Sequence, residues 1–341
     1  MSVAIADRLK LDESRVAREI VTRLHRQVGQ VLWRSGVVVG MSGGVDSSVC
    51  AALAAEAVGA RRVLGLAMPE RESDGRSLEL ARAWATQLGI DFLVEDITPI
   101  LDACGCYARR DAAATRVGGG AYGAGWRCKL VLEGGGLDSD RLSLCYLVMQ
   151  SPEGEVRKVR LPPREFREIV AATNFKQRAR AMLEYHHADR LHYAVLGTPN
   201  RLEYDLGFFV KGGDGLADVK PIAHLYKSQV YQLAEHLGVP EEIRSRVPTT
   251  DTYSLPQTQE EFFFSLPLSE LDRVLQAHNA GAAGEVAAGD LGLRAEQVER
   301  AYRDIDRKRR ATRHLHLTGL LVEPVREVGG EVEDVEGRTA D

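Results

Sequence analysis

Apolar residues recur at intervals of four from Val16 through Ile20, Leu24, Val28 and Leu32, behind the capping residue Ser14, and this spacing predicts an amphipathic helix over residues 12–33. The period then changes. Val37-Val38-Val39 is an unbroken β-branched run, the signature of a buried strand, and the Ala-rich stretch from Val49 to Val58 closed by Gly59 predicts a helix with its terminal glycine. Strand patterns return at 63–68, 92–97 and 193–197, and helical ones near 77–88, stopped by Gly89, and at 226–237, stopped by Gly238 and Pro240. Alternation of strand and helix at this spacing predicts an α/β fold with a doubly wound parallel sheet, whose ligands sit at the carboxyl ends of the strands.

Between about Cys104 and Pro163 the pattern alternates instead, in the runs 129–132, 142–149 and 156–161. Glycine clusters at 118–120 and 134–136 and the turn Ser151-Pro-Glu-Gly154 punctuate them. This predicts an antiparallel β insertion over about 104–165. Polar, helical sequence resumes at Phe166 and passes through Asn174 and Arg178. Residues 198–221 read as a long loop, and helices and loops then alternate to about Arg310. One domain is expected over 1–325, followed by an acidic, glycine-containing tail at 326–341.

Composition narrows the function. A chain of 341 residues, 44% hydrophobic and 27% charged, can bury a sizeable core. With 44 basic against 49 acidic side chains the net charge is −5, so no overall positive field would recruit nucleic acid or an anionic membrane. The N-terminus lacks the apolar core of a secretion signal and no apolar run reaches membrane-spanning length, which implies a cytoplasmic location. Five cysteines, an odd and modest number, suit a reducing compartment better than a disulfide framework.

The chemistry begins at the loop that joins the first strand to its helix, Gly40-Met-Ser42-Gly43-Gly44-Val-Asp46-Ser47-Ser48. Gly43 and Gly44 let backbone N–H groups come close to an anion, the hydroxyls of Ser42, Ser47 and Ser48 donate, and the helix N-terminus adds partial positive charge. Such a site wants phosphate. Asp46 would repel a bare phosphate, so it is expected to face a Mg²⁺ ion that bridges phosphate oxygens. A glycine pair alone would be an ordinary strand-to-helix turn. The full string is neither the Gly-Lys-Ser/Thr P-loop nor the dinucleotide Gly-x-Gly-x-x-Gly pattern. It resembles the Ser-Gly-Gly-x-Asp-Ser loop of the ATP pyrophosphatase (PP-loop) superfamily, with its adenine nucleotide alpha hydrolase-like fold.

A second informative block runs from Gly197 to Pro221 and packs Glu203, Asp205, Lys211, Asp214 and Asp218 among glycines just after a predicted strand. A solvated, turn-rich loop has a similar composition, but this one begins where α/β folds place reactive groups. Acids interspersed with cations suit a ligand carrying phosphates and a metal, with Glu203 a second metal carboxylate beside Asp46.

Together with Asn174-x-Lys176-x-Arg178-x-Arg180, Gly197-Thr198 and Lys227, this block closely resembles the NAD⁺ synthetase branch of that superfamily, over roughly half of the chain. The resemblance implies an AMP-forming carbon–nitrogen ligase in which ATP adenylates the carboxylate of deamido-NAD and ammonia displaces AMP. It implies that Ser42, Gly43, Gly44, Asp46, Ser47 and Ser48 hold the pyrophosphate, that Arg178, Thr198 and Lys227 contact ATP, and that Asp46 and Glu203 hold Mg²⁺. Lys211, Asp214, Asp218, Arg180 and Lys308 are implied to face the second substrate, with Asp214, Lys227 and Asp46 acting in catalysis. A homodimer is implied as well. Two other readings remain open: the same amidation of a different small-molecule carboxylate, and an ATP-binding module without turnover.

The chain also departs from the family pattern. The usual His-Lys pair near the C-terminus is replaced by Asp306-Arg307-Lys308-Arg309-Arg310, and the β insertion stands where the family has a shorter segment. No glutaminase module precedes Val37, which predicts free ammonia or a separate glutamine amidotransferase as the nitrogen source. Cys104, Cys106, Cys128 and Cys145 lack zinc-ligand spacing and read as buried thiols. The basic run 303–316 lacks interleaved aromatics and reads as a charged helix face, His186 and His187 as helix residues, and Phe262–Phe264 as core or dimer contact.

Overall fold

The three consecutive valines of the first strand have no exposed face, each being fully buried, because this strand runs in the middle of a parallel sheet. In the computed structural model, residues 8–119, 122–133, 137, 144–249, 252–264, 266–323 and 325 are described. The first half of the chain forms α1 (Glu13–Arg26), β1 (Val37–Gly40), α2 (Val45–Val58), β2 (Val63–Ala67), α3 (Gly75–Leu88), β3 (Asp91–Val94), α4 (Thr98–Ala103), α5 (Cys106–Val117) and the strands β4 (Arg127–Glu133), β5 (Leu144–Gln150) and β6 (Val156–Arg160). Then come α6 (Pro163–Leu191), β7 (Ala194–Leu196), α7 (Arg201–Leu206), α8 (Lys227–His236), α9 (Glu241–Arg244), α10 (Gln259–Phe262), α11 (Leu268–Asn279), α12 (Gly284–Leu291) and α13 (Ala295–His316).

The sheet order is β3-β2-β1-β7, all parallel, with Val37 opposite both Val63 and Ala194. The chain moves outward from β1 to β3 and returns on the other side of β1. That reversal opens a crevice beyond the carboxyl ends of β1 and β7. Val37 and Val39 face a core shared with α1, α2, α3 and α8, whereas Val38 faces one made with Leu101, Tyr107, Ala179 and Ala188 from α4, α5 and α6. Strand alternation therefore explains why every position had to be apolar.

The antiparallel sheet β4-β5-β6 is separate and has its own core, in which Cys128, Leu130, Leu147 and Met149 pack on Ala113, Ala114 and Ile169. The expected β character of residues 104–165 fails at its start. Residues 106–117 form α5, whose Cys106, Tyr107, Arg110, Ala113 and Ala114 are buried at helical spacing. α6 joins the two sheets: with 29 residues it is about 44 Å long, and it gives Ile169 to the insertion core and Ala179 and Ala188 to the main one. A fourth core gathers α7, α11, α12 and α13 around Leu206, Val274, Leu275, Val298 and Ile305.

Other boundaries also moved. The first helix stops at Arg26 and continues as a π turn over Gln27–Val31. Part of the expected long loop is α7, capped by Asn200 with Glu203 in a capping box and stopped by Gly207 in the left-handed region. The expected tail at 326–341 and the glycine cluster at 134–136 lie outside the described residues. No helix among the described residues is long and apolar enough to cross a membrane.

Candidate active site

Three connected cavities fill the crevice, and Thr198 and Thr249 line all three. The strand-end lobe, about 250 Å³, has an apolar floor of Leu66, Ala67, Met68 and Leu78 and a wall formed by Gln177, Arg180 and Glu184. Those three residues lie on one stripe of α6 at helical spacing. The phosphate lobe, about 170 Å³, holds Ser42, Gly44, Asp46, Ser47, Glu203, Lys227 and Arg246. The aromatic lobe, about 370 Å³, is lined by Phe166, Phe208, Phe209, Tyr253, Phe262 and Phe263, with Asn174, Glu203 and Asp214 among them.

The phosphate loop is held from within and from behind. Gly43 takes φ +73°, and a Cβ there would lie 2.3 Å from the Ser77 carbonyl oxygen at the start of α3, so only glycine fits. The Ser47 and Ser48 hydroxyls donate to the Gly44 carbonyl at 3.0 and 2.9 Å, and Gly44 N–H donates to Ser42 Oγ at 3.3 Å. Behind the loop, Trp84 Nε1 donates to the Ser48 carbonyl at 3.0 Å.

At the start of α2, Asp46 accepts from Asn200 Nδ2 at 3.2 Å and pairs with the ammonium of Lys227. Glu203 accepts from Gln259 Nε2 at 2.9 Å and from the Asn200 N–H at 3.1 Å. Asn200 thus touches both carboxylates. Burial, and after it the charge of Asp46, pushes the pKa of Glu203 up to about 7, as expected of two carboxylates in one site. For Lys227 burial opposes protonation, but Asp46 and Glu203 outweigh it and raise the pKa. Two carboxylates facing one phosphate-sized lobe are the hard oxygen donors that Mg²⁺ takes alongside substrate phosphates. The donor set therefore fits that ion.

Lys227 is aimed from below. Its own N–H and that of Ser228 donate to the Asp272 carboxylate at 3.1 and 2.6 Å, at the N-terminus of α8, where a negative charge complements the helix dipole. Lys176, almost fully buried, donates to Glu70, Glu72 and the Thr252 carbonyl at 2.8, 2.8 and 2.9 Å. It ties the loop after β2 to the segment that follows Thr249.

The residues expected from the sequence divide. Ser42, Gly44, Asp46, Ser47, Thr198, Glu203 and Lys227 converge on the phosphate lobe, with Gly43 and Ser48 shaping its loop from behind. Asp214 lines the strand-end and aromatic lobes, and Arg180 the former. Asp214 is open to solvent on its cleft side, and the protein packed around it pushes its pKa up to about 6, against the Val210 N–H and Arg180.

Four others sit elsewhere. Lys211 donates to the His314 and Leu317 carbonyls at the end of α13, at 2.7 and 3.0 Å, and Arg178 donates to the Lys211 carbonyl. Asp218 accepts from Tyr185 Oη and from the Val195 N–H, and Lys308 pairs with Asp304 one turn away.

Several contributors had no readable local pattern: Asn200, Gln259, Arg246, Asp272, Glu184 and Thr249. Arg246 reaches Ser77 and Asp74 at 3.1 and 3.0 Å. Of the three phenylalanines expected as core or contact, Phe264 is buried in the α11–α13 core, whereas Phe262 and Phe263 line the aromatic lobe. The cysteines are all free thiols, Cys104 exposed and Cys145 half-buried.

The sequence profile described as NAD synthase matches residues 16–130 and 152–314. The chain is 55% identical over 323 residues to the NH₃-dependent NAD⁺ synthetase of Rhizobium meliloti, covering 95% of this chain and 96% of that one. It is 56% identical over 313 residues to the enzyme of the same name from Mesorhizobium japonicum, with 92% and 98% covered. Among solved structures, NMN synthetase from Francisella tularensis shares the fold with a TM-score of 0.62 at 22% identity, covering 92% of this chain and 99% of that one. The NH₃-dependent NAD synthetase from Campylobacter jejuni shares it at 0.60 and 20%, covering 92% and 100%.

Proposed function

The chain belongs to the NAD synthase family, and on that footing we propose that it is an ammonia-dependent NAD⁺ synthetase, an ATP-dependent ligase that amidates the nicotinate carboxylate of deamido-NAD. The observation that carries this reading is the meeting of three lobes at Thr198 and Thr249. A nucleotide laid with its pyrophosphate against Ser42–Ser48 has the strand-end lobe for its adenosine. The aromatic lobe suits a pyridine ring. Both substrates then bring their reacting ends to the one place the lobes share.

In the first step a carboxylate oxygen of deamido-NAD attacks the α-phosphorus of ATP, and the bond to the bridging oxygen breaks as pyrophosphate leaves. In the second, ammonia adds to the acyl carbon, the nitrogen loses a proton, and AMP departs with the electron pair of the broken C–O bond. Charge that develops on the pyrophosphate falls among the Gly43–Ser48 amides and hydroxyls, Lys227 and Arg246, which are already in place and need no reorganisation. Asp46 and Glu203 would hold Mg²⁺, which when bound neutralises phosphate charge. Asp214, lining both substrate lobes, is the candidate acceptor for the ammonium proton.

Free ammonia is the nitrogen source in this reading, supplied directly or by a separate amidotransferase, and the working unit is a homodimer in the cytoplasm. The test is to supply ATP, Mg²⁺ and ammonium or glutamine with deamido-NAD or a panel of other carboxylic acids. We expect NAD⁺, AMP and pyrophosphate in equal amounts with ammonium. Faster turnover of another carboxylate, or none at all, would refute the assignment.

A further inference from the structure

One acidic side chain in the strand-end lobe has no part in the chemistry above. Glu184 projects from α6 into that lobe, one helical turn beyond Arg180. It reaches the end of β1 so closely that a Cβ on Gly40 would lie 2.3 Å from its Oε1, with the Met68 Cε 3.7 Å from the same point. Glycine at position 40 is what leaves room for this carboxyl. The charged groups that act on it are Asp214 and Arg180, and no hydrogen bond from a described residue reaches it. Burial first, and Asp214 second, push its pKa up to about 8. The carboxyl is half-buried in the cavity wall, with its open side turned to the lobe, where a ligand hydroxyl can reach it.

The position says which part of a ligand that is. Gly40 precedes Ser42 by two residues, about 7 Å of extended chain, so the carboxyl lies beside the phosphate loop. The apolar floor of Leu66 to Met68 and Leu78 belongs to the same lobe, and Leu66 pairs with Gly40 across β1 and β2, so the carboxyl stands where the floor meets the phosphate loop. In a nucleotide the sugar is the part between phosphate and base.

We propose that Glu184 accepts hydrogen bonds from the vicinal ribose hydroxyls of ATP and so sets a preference for the ribonucleotide. This deepens the functional reading above and rests on its placing adenosine in the strand-end lobe. A site built to bond a hydroxyl discriminates against an analogue lacking it, because its own polar group is then left unpaired.

The test measures kcat/KM for ATP, 2′-deoxy-ATP and 3′-deoxy-ATP at saturating deamido-NAD and ammonium, for the full chain and its Glu184→Gln and Glu184→Ala variants. The wild type should prefer ATP by about 10- to 100-fold. Glu184→Ala should bring ATP down to the level of the deoxy analogues while their rates stay within about threefold of wild type. The isosteric Glu184→Gln keeps the packing and should fall between. Equal losses for all three nucleotides, or a wild type indifferent to the sugar, would overturn the proposal. Failure of the underlying site reading would look different: the wild-type chain would form no product with any nucleotide, and the proposal would fall with it.

Discussion

Lys227 sets its ammonium on the carboxylate of Asp46, joining the first turn of α8 to the first turn of α2, with side chains only 3% and 18% exposed. Lys227→Met would leave Asp46 and Glu203 facing each other without the ammonium that pairs with Asp46. Removing one partner of a buried pair typically costs about 3–5 kcal/mol, and losing a preorganised cation costs about 10²–10³ in kcat. Steady-state rates and thermal unfolding with and without MgATP check this. MgATP should recover part of the lost melting temperature. A variant within threefold of wild-type kcat would remove Lys227 from the chemistry.

The loop offers a sharper contrast. Gly43→Ala requires both a left-handed backbone and a shift of the Ser77 carbonyl, the former costing about 1–2 kcal/mol. Gly44 has an ordinary φ of −96° and its added Cβ would meet only Ser42 Oγ at 3.3 Å. Alanine at 43 should therefore raise the KM for ATP at least about tenfold, and alanine at 44 distinctly less. The same ranking should appear in nucleotide affinity measured by calorimetry.

Asp272 lines none of the three lobes, yet it should matter for rate. Asp272→Ala strips the acceptor from the N–H groups of Lys227 and Ser228 in a fully buried setting, at a cost of about 2–4 kcal/mol. Because it also frees the helix end that carries Lys227, kcat should fall with stability. Asn at this position keeps one acceptor oxygen and should lie nearer wild type on both counts. Chemical denaturation and turnover, measured on the same samples, separate the two effects.

Asp214 predicts a pH dependence. Its pKa is pushed up to about 6. As a proton acceptor it works only when ionised, so kcat at saturating ammonium should decline as pH falls through about 6. Asp214→Asn should lower the plateau by about 10²-fold and erase that limb. Retention of both plateau and limb would assign the proton to another group.

Local pattern carried much of this molecule. Val37–Val39, the Gly43-Gly44 turn and Gly59 announce a strand, an anion loop and a helix end through backbone chemistry alone, and Glu203 stood out as an acid just past a strand. What could not be read was contact across distance. Asp272 serves Lys227 from 45 residues away, and Gln259 serves Glu203 from 56. Lys211 and Asp218 look as reactive as Asp214 on paper. Only the folded loop shows Lys211 closing the end of α13 and Asp218 held by Tyr185 and the edge of β7. α5 was hidden by the small residues and glycines around it, and α7 by its shortness.

The approach of Glu184 to Gly40 has a consequence for descent. Positions 40 and 184, far apart in the chain, share one small volume, so a change at either bears on the other. In lineages where position 184 is short or apolar, a methyl or larger group at position 40 becomes admissible. Where the acid is kept, a side chain at position 40 turns the carboxyl out of its present place.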